Sequence, residues 1–231
     1  MTIVARHKNM KRRRIILDNT FKLIREYGID NVSLQMIAEK SGISKSLLQS
    51  YYPHKQKLTT DIMHNLFNTL WDEVYTNVVD QKQNLFTQVK AFCYIIGSLG
   101  IRDNGLDQVI RQAFSDNTTL DSWSQMLNSW IVERNLISEF TPDQIERIRS
   151  GISFIAAGGG RLYLKRKTHN LNPEEIADFM TSTLMGVFMN YDTSEIKEVL
   201  EEGHQVIRNA DIGSIHFAID HMFDEGKEIY S

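Results

Sequence analysis

The sequence predicts an all-α protein, and three observations support this fold class. Apolar residues recur at spacings of three and four along most of the chain, as on one face of an α-helix. Sustained alternation of apolar and polar residues rich in Val, Ile and Thr, which would indicate strands, is absent. The 231 residues include only 3 prolines, and each of them can start a helix. Turn-forming residues between the periodic segments predict about eleven helices.

Charge is distributed unevenly along these helices. Residues 1–60 contain 12 Lys and Arg but only 4 Asp and Glu, a balance of +8. The other 171 residues contain 14 bases and 25 acids, a balance of −11, so the whole chain carries only −3. A basic segment joined to an acidic remainder predicts a polyanion-binding module attached to a part that does not touch the polyanion.

The composition excludes several classes of protein. A hydrophobic share of 42% and an aromatic share of 10% are typical of a folded globular chain. No apolar run approaches the roughly 18 to 20 residues that span a bilayer, and the basic N-terminus lacks the apolar part of a signal peptide. The single cysteine, Cys93, cannot form an internal disulfide. We therefore expect a cytoplasmic protein that does not contact membranes.

The first predicted helix covers about residues 11–27, where Ile16 and Ile24 share one face and Gly28 supplies a C-cap. It is preceded by a basic arm, residues 6–14, with 6 cations and no acid. Such an arm suits a minor groove or a line of phosphates, and the alternative is a disordered tail that aids solubility.

Two short helices follow, separated by a tight turn. Ser33 is the N-cap of a helix over residues 34–40, Ser44 caps a helix over residues 45–51, and Gly42 supplies the left-handed turn between them. Together with the first helix they form a three-helix helix-turn-helix domain. The last of these helices is short enough to lie in the major groove of duplex DNA.

The outward-facing polar side chains of this domain are the candidate DNA contacts. Gln49 suits bidentate recognition of adenine, and Lys45 can reach a guanine edge or a phosphate. Neighbouring hydroxyls and cations suit phosphate oxygens, with capping or solvated roles as the alternatives. The candidate set is Arg12, Arg13, Ser33, Gln35, Ser44, Lys45, Ser46, Gln49, Ser50, Tyr51, His54 and Lys55.

Residues 37–58 contain a spaced motif. It begins with Ile37-Ala38, continues with Ser41-Gly42-Ile43-Ser44, and ends with the aromatic pair Tyr51-Tyr52, Lys55 and Leu58. With the helix before it, this segment resembles the TetR family of bacterial transcriptional regulators over about residues 10–65. Two positions depart from the family pattern. Gln49 stands where a phosphate-contacting Tyr is usual, and Ser46 stands where Gly or a similarly small residue is usual.

The resemblance implies two domains. Residues 1–58 would form the basic arm and the DNA-binding domain, and residues 59–231 a larger helical domain for effector binding and dimerisation. Apolar residues at every fourth position predict a linking helix from about 54 to 79. Two further helices, over residues 194–209 and 212–229, extend the body, and they would either pack onto it or add to a dimer interface.

Two apolar stripes in the body are the candidate dimer interface. The helix over residues 142–167 repeats apolar positions at spacings of 3,4,3,4,3, and the helix over residues 173–191 has its own stripe. The resemblance implies that these helices pair across a two-fold axis as a four-helix bundle, whereas intrachain core is the alternative for each stripe alone. The candidate seam is Ile145, Ile148, Ile152, Ile155, Gly159, Leu162, Ile176, Met180, Leu184 and Val187.

An effector pocket is implied by the resemblance and not by any motif. Apolar and aromatic residues of the body are the candidates, with ordinary core as the alternative for each, and they suit a small apolar or amphipathic effector. The candidate pocket residues are Phe92, Tyr94, Phe114, Trp123, Met126, Trp130 and Phe154, with Phe86 and Cys93 beside them.

No complete catalytic or metal-binding motif is present. The HExxH, P-loop, GxGxxG and GxSxG patterns are absent, and Glu201-x-x-His204 is only half of a di-iron motif. We therefore expect no metal, no cofactor and no enzymatic activity. The sequence predicts a homodimeric repressor that a small effector releases from a palindromic operator. A non-specific architectural DNA-binding protein and an enzyme on a helical scaffold are the alternatives.

Overall fold

The computed structural model describes residues 3–80 and 83–230, which form eleven α-helices and no strand, and this confirms the predicted fold class. The helices are α1 (Ile3–Tyr27), α2 (Leu34–Lys40), α3 (Lys45–Tyr51), α4 (Lys55–Asn77), α5 (Leu85–Arg102), α6 (Asn104–Ser115), α7 (Asn117–Glu133), α8 (Pro142–His169), α9 (Pro173–Thr183), α10 (Thr193–Asn209) and α11 (Ile212–Asp220). A 3₁₀ turn over Ile29–Asn31 follows α1, and a π-helical turn over Leu184–Phe188 follows α9.

The basic N-terminal segment is part of α1. We expected a separate arm before a helix starting near residue 11, but the backbone is helical from Ile3. Lys and Arg are good helix formers, so the basic run continues the helix without a break. The side chains of Arg6 and Lys8 lie outside the described residues, and the role of these two cations stays a prediction.

Local capping explains where three of the body helices begin. In each, the side chain of the N-cap residue accepts a hydrogen bond from the backbone N–H three residues later. The side chain of that third residue in turn accepts a hydrogen bond from the backbone N–H of the N-cap residue. The first two confirm the starts predicted from the sequence, and the third begins α10. The pairs are Thr141–Gln144, Asn172–Glu175 and Asp192–Glu195.

Helix α5 lies at the centre of the body. Of its 18 residues, 14 are buried, and α4, α6, α9, α10 and α11 pack around it. A helix that is apolar on nearly every side must be enclosed in this way. Helix α4 connects the two parts of the chain, since it packs against α1 of the helix-turn-helix domain and against α5, α7 and α11 of the body.

The C-terminal segment turns earlier than predicted. The helix expected over residues 212–229 ends at Asp220, and the chain then turns with Gly226 at a φ of +93°. The turn allows Met222 and Phe223 to be buried, with the Phe223 ring 6.2 Å from that of Phe21 on α1. Burial of these two apolar side chains favours the turn over continued helix.

Polar contacts also join this segment to the helix-turn-helix domain. Arg14 donates to the main-chain carbonyls of Asp224 and Lys227. The Asn65 side chain on α4 exchanges two hydrogen bonds with the main chain of Tyr230, at 2.9 and 3.0 Å. The C-terminal extension therefore packs onto α1 and α4 of its own chain.

Candidate DNA-binding surface and effector cavity

Helix α3 presents a polar outer face on an apolar anchor. Leu48 is fully buried against the other helices of the domain, whereas Lys45, Ser46, Gln49 and Ser50 are exposed. The helix is short because a cap fixes its start and Pro53 follows closely after its end, which disfavours further helix. These constraints hold α3 as a rigid segment with one polar face toward solvent.

The predicted contact residues differ in how far they are engaged within the chain. The exposed side chains of Arg12, Lys45, Gln49 and His54 make no hydrogen bond or ion pair with the described residues. The serines and Gln35 are exposed but bonded locally. Ser33 and Ser44 cap α2 and α3, Ser46 contacts Ser44 at 3.0 Å, Ser50 donates to Leu47, and Gln35 donates to Glu39. Tyr51 is half-buried.

Arg13 was predicted to contact DNA, and the structure shows it bonded within the chain, so a DNA contact stays a prediction. Its Nε donates to the hydroxyl of Tyr52 at 2.9 Å, and its Nη2 donates to Oδ2 of Asp61 at 2.7 Å. Asp61 is fully buried on α4, and Lys57 lies 3.0 Å from its other oxygen. Burial raises the pKa of Tyr52, so its hydroxyl stays protonated. Arg13 therefore neutralises a buried carboxylate and joins α1 to α4.

Lys55 is also an internal link and not a free cation. Its Nζ donates to the carbonyl oxygens of Ile29 and Val32, at 2.9 and 3.0 Å. These carbonyls belong to the turn after α1, so the ammonium fastens the first turn of α4 to that turn. Two of its three donors are used within the chain, and a phosphate contact through the third stays a prediction.

A charged cluster joins the helix-turn-helix domain to the body. Arg25 on α1 donates to Asp103 at 2.5 Å and also to Asp220. Nε2 of His216 lies 2.9 Å from Oδ2 of Asp103. Burial opposes the ionisation of Asp103, but bonds from the Leu106 N–H, His216 and Arg25 outweigh it and lower its pKa to about 2. Asp103 is thus an anion that holds α1 against the body.

A small apolar cavity lies inside the body. It has a volume of about 60 Å³ and is lined by residues of α4 through α9. The predicted pocket residues Phe92, Phe114 and Trp123 line it, together with Cys93. The cavity is well below the roughly 300 Å³ of an ordinary ligand pocket, so its walls must move to admit a ligand of that size.

Four predicted pocket residues do not line this cavity. The ring of Trp130 lies 4.0 Å from that of Trp71, and the Trp71 ring lies 4.4 Å from that of Phe92 in the lining, so Trp130 lies one ring further from the cavity. Tyr94 faces a surface groove on the other side of α5. Met126 packs outside the lining, and the side chain of Phe154 is 59% exposed.

The predicted dimer seam is intrachain core for most of its length, which corrects that assignment. Along α8 and the segment that follows, Ile148, Ile152, Ile155, Ile176 and Leu184 are buried by this chain's own helices. Gly159 packs directly under Met180, so α8 and α9 approach closely within one chain. Ile145 and Leu162 are half-buried. Several of these residues line the cavity instead: Ile152, Ile155, Gly159, Ile176 and Met180.

The opposite faces of α8 and α9 carry exposed apolar side chains. Phe154, Phe179 and Val187 are 59%, 52% and 70% exposed, and Gly158 has open space beside it. The rings of Phe154 on α8 and Phe188 on the π-helical turn lie 5.5 Å apart, so α8 adjoins the segment that follows α9. We call the exposed apolar side chains of α8, α9 and that turn the outer apolar face. Val187 is the one predicted seam residue that is exposed on it.

Comparison with known proteins places the N-terminal part of the chain in a family. Residues 16–62 match the family described as bacterial regulatory proteins, tetR family. These residues run from α1 into α4 and include the whole of the helix-turn-helix. The N-terminal domain is a tetR-family DNA-binding domain.

The tetR-family fold extends through the rest of the chain. A crystal structure of a tetR-family transcriptional regulator from Streptomyces coelicolor is similar to this chain with a TM-score of 0.53 and 18% sequence identity. The similarity covers 93% of this chain and 96% of that one. No curated protein matches the chain. The N-terminal residues thus match the DNA-binding domain of the family, and the chain has the fold of the Streptomyces coelicolor structure along nearly its whole length.

A buried ion pair joins α5 to α9 and α10. Lys90 on α5 is fully buried and lies 2.6 Å from Asp178, and its Nζ also donates to the carbonyl of Leu200. Nε2 of His204, from the half di-iron motif, lies 3.2 Å from the same Asp178. Desolvation lowers the pKa of Lys90. No group of three or more metal-ligating side chains is found among the described residues.

Within the described parts of the chain, no helix is both long enough and apolar enough to span a membrane.

Sequence reasoning missed three residues that shape the cavity: Ser124, Tyr163 and Ala156. Ser124 lies between Leu120 and Leu127 on the apolar face of α7. A polar residue that interrupts a row of apolar residues was the sequence signal for its position. The Tyr163 hydroxyl donates to Asp107 at 2.7 Å, a contact between residues 56 positions apart that no local pattern reveals. Ala156 continues the buried side of α8.

Proposed function

We propose that this protein is a homodimeric repressor that binds a palindromic operator and is released from it by a small effector. The observation that carries the proposal is the outer face of α3. There Lys45 and Gln49 are exposed and unengaged, on a helix held in a tetR-family DNA-binding domain. Unpaired donors and acceptors on a short rigid helix suit base edges in the major groove.

Dimerisation is supported by the outer apolar face. A soluble monomer rarely exposes large apolar side chains in one continuous patch, and a two-fold axis would bring the patch against its own copy. The resulting bundle would contain α8 and α9 from each subunit, with Phe154 and Val187 near its centre. The proposed interface thus uses the same two helices as the predicted seam, but mostly different residues on them. Two α3 helices would then read half-sites about 34–36 Å apart.

Release by an effector is supported by the position of the cavity. Phe67 of α4 lines it, and the first turns of α4 pack against the DNA-binding domain. A ligand that widens the cavity would displace α4 or the helices opposite it, and so change the distance between the two α3 helices. Only a ligand with different affinities for the two arrangements would shift their populations.

A DNA-binding assay tests the readout by α3. We expect Lys45→Ala combined with Gln49→Ala to weaken binding to the preferred sequence by about 2–4 kcal/mol, because each good base contact contributes about 1–3 kcal/mol. Fluorescence anisotropy at a stated salt concentration, with DNA upstream of the protein's own and neighbouring genes, measures this. Lys22→Ala removes one charge from α1 and is the control. Equal binding by wild type and double variant, or equal affinity for all sequences, would refute specific readout.

Sedimentation tests the outer apolar face. We expect Phe154→Arg to weaken the dimer by about 4 kcal/mol or more, because a two-fold interface contains the buried charge twice. Phe217→Arg is the matched control, since Phe217 is a 63% exposed aromatic residue on α11. If both variants remain dimers as tight as wild type, the interface lies elsewhere.

A further inference from the structure

The lining of the cavity has no charged side chain. Helices α5 to α9 and part of α4 surround the cavity. They contribute apolar or small residues, apart from a few polar groups. An ionised carboxylate or ammonium placed there would lose its hydration and gain no partner of opposite charge. The nearest described ion pair, Asp107 with Arg166, is already closed at 2.8 Å and lies behind the ring of Tyr163. The cavity therefore selects against charged ligands.

Most polar groups of the lining already have partners. The indole N–H of Trp123 donates to the carbonyl of Met63 at 3.3 Å, and the Tyr163 hydroxyl donates to Asp107. Burial raises the pKa of the Cys93 thiol to about 12, so the thiol is uncharged at neutral pH. None of these groups is a free, strong hydrogen-bonding site for a ligand.

Ser124 is the exception. Its side chain is only 6% exposed, it lines the cavity, and its hydroxyl makes no hydrogen bond with the described residues. A hydroxyl that faces a cavity without a protein partner can donate one bond and accept others. A ligand with a single polar group can satisfy it.

Met180 sets the size of the ligand. The cavity of about 60 Å³ is smaller than the roughly 150 Å³ that holds benzene in a protein core. The Met180 side chain packs directly over Gly159 and forms one wall. Methionine is unbranched and changes rotamer easily, so its displacement would open space for one ring.

We propose that the effector is a neutral molecule built on one apolar ring, with a hydroxyl or carbonyl group that hydrogen-bonds to Ser124. This inference rests on the proposed function, because it assumes that the regulatory ligand occupies this cavity. The ring of the effector displaces the Met180 thioether. Its polar group forms a hydrogen bond with the Ser124 hydroxyl on α7. A carboxylate of the same shape is excluded.

Calorimetric titration with three probes of similar shape tests the inference: phenol, toluene and benzoate. Wild type binds phenol and toluene but not benzoate. Ser124→Ala binds phenol about five- to tenfold more weakly, the worth of one hydrogen bond, and binds toluene as wild type does. Ser98→Ala, at an equally buried serine outside the cavity, leaves all three unchanged. Ala156→Leu fills the cavity and removes phenol and toluene binding.

Three results would overturn the inference. They are binding of benzoate as tight as that of phenol, no effect of Ser124→Ala on phenol, and no binding of phenol or toluene by wild type. Operator binding is measured separately, without probes. Failure to bind DNA would contradict the proposed function, while the probe titrations would still decide the ligand class of the cavity.

Discussion

The recognition helix α3 and the first helix α1 both carry basic and polar side chains, but they use them in opposite ways. On α3, Lys45 and Gln49 extend into solvent without a partner among the described residues. On α1, Arg13 and Arg25 are bonded to carboxylates of α4 and of the body. The balance of +8 in residues 1–60 therefore overstates the cations available to DNA. Pairing within the chain decides which of them are free.

The largest expected effect concerns the buried partner of Arg13. Arg13→Ala should lower the free energy of unfolding by about 3 kcal/mol, because it leaves the Asp61 carboxylate buried with only Lys57 nearby. Urea denaturation followed by circular dichroism measures the change. Arg12→Ala is the matched control, since Arg12 is exposed and unengaged, and should stay within about 0.5 kcal/mol of wild type. Equal stability of the two variants would show that the pairing of Arg13 with Asp61 does not stabilise the fold.

A smaller, pH-dependent effect is expected at the junction with the body. The pKa of Asp103 is lowered to about 2 in the folded protein, from an ordinary 3.8, so its ionisation stabilises the fold above about pH 4. Asp103→Asn should cost about 1 kcal/mol near neutral pH, after allowance for solvent screening. The difference in free energy of unfolding between the variant and wild type should shrink as pH falls from 4 toward 2. In that range Asp103 of the wild-type protein becomes protonated and loses its charge pairing with Arg25 and His216.

Denaturation curves at several pH values test this. A difference that stays constant down to pH 2 would contradict the assignment of Asp103 as the anion that holds α1. Asp18→Asn, whose carboxylate faces Lys22 on the same helix, provides a comparison without any contact to the body.

The smallest expected effect compares two lysines. Lys45→Met should reduce the slope of log affinity for DNA against log salt concentration by about 0.9, if the lysine contacts one phosphate, and leave stability unchanged. Lys55→Met should leave that slope unchanged but lower stability by about 1 kcal/mol, because two main-chain carbonyls lose their donor. If a salt titration shows a lower slope for Lys55→Met and an unchanged slope for Lys45→Met, then Lys55 contacts phosphate and Lys45 does not.

Local patterns in the sequence predicted the helices, the helix starts at Pro142 and Pro173 and the polar face of α3, since each depends on residues within a few positions of one another. They did not predict the roles of Arg13 and Lys55, whose partners lie 48 positions and 23 to 26 positions away along the chain. Charge composition cannot show such pairing.

The stripe on α8 illustrates a different limit. Apolar residues at spacings of three and four identify a buried face, but not whether the same chain or a second copy buries it. Here α9 and the cavity occupy that face. Phe154 lies off the stripe, which is the sequence signal for a second apolar surface, although its aromatic ring also fitted a pocket.

The C-terminal extension has a consequence for biosynthesis. Residues 220–230 give Arg14, Arg25 and Asn65 their last partners, so these contacts span 165 to 213 positions of the chain. Contacts of such long sequence separation form late in folding. During translation the nascent chain can complete a helix-turn-helix long before the ribosome has supplied the segment that fixes its orientation. A DNA-binding unit with its final geometry would exist only after residues 220–230 have been synthesised.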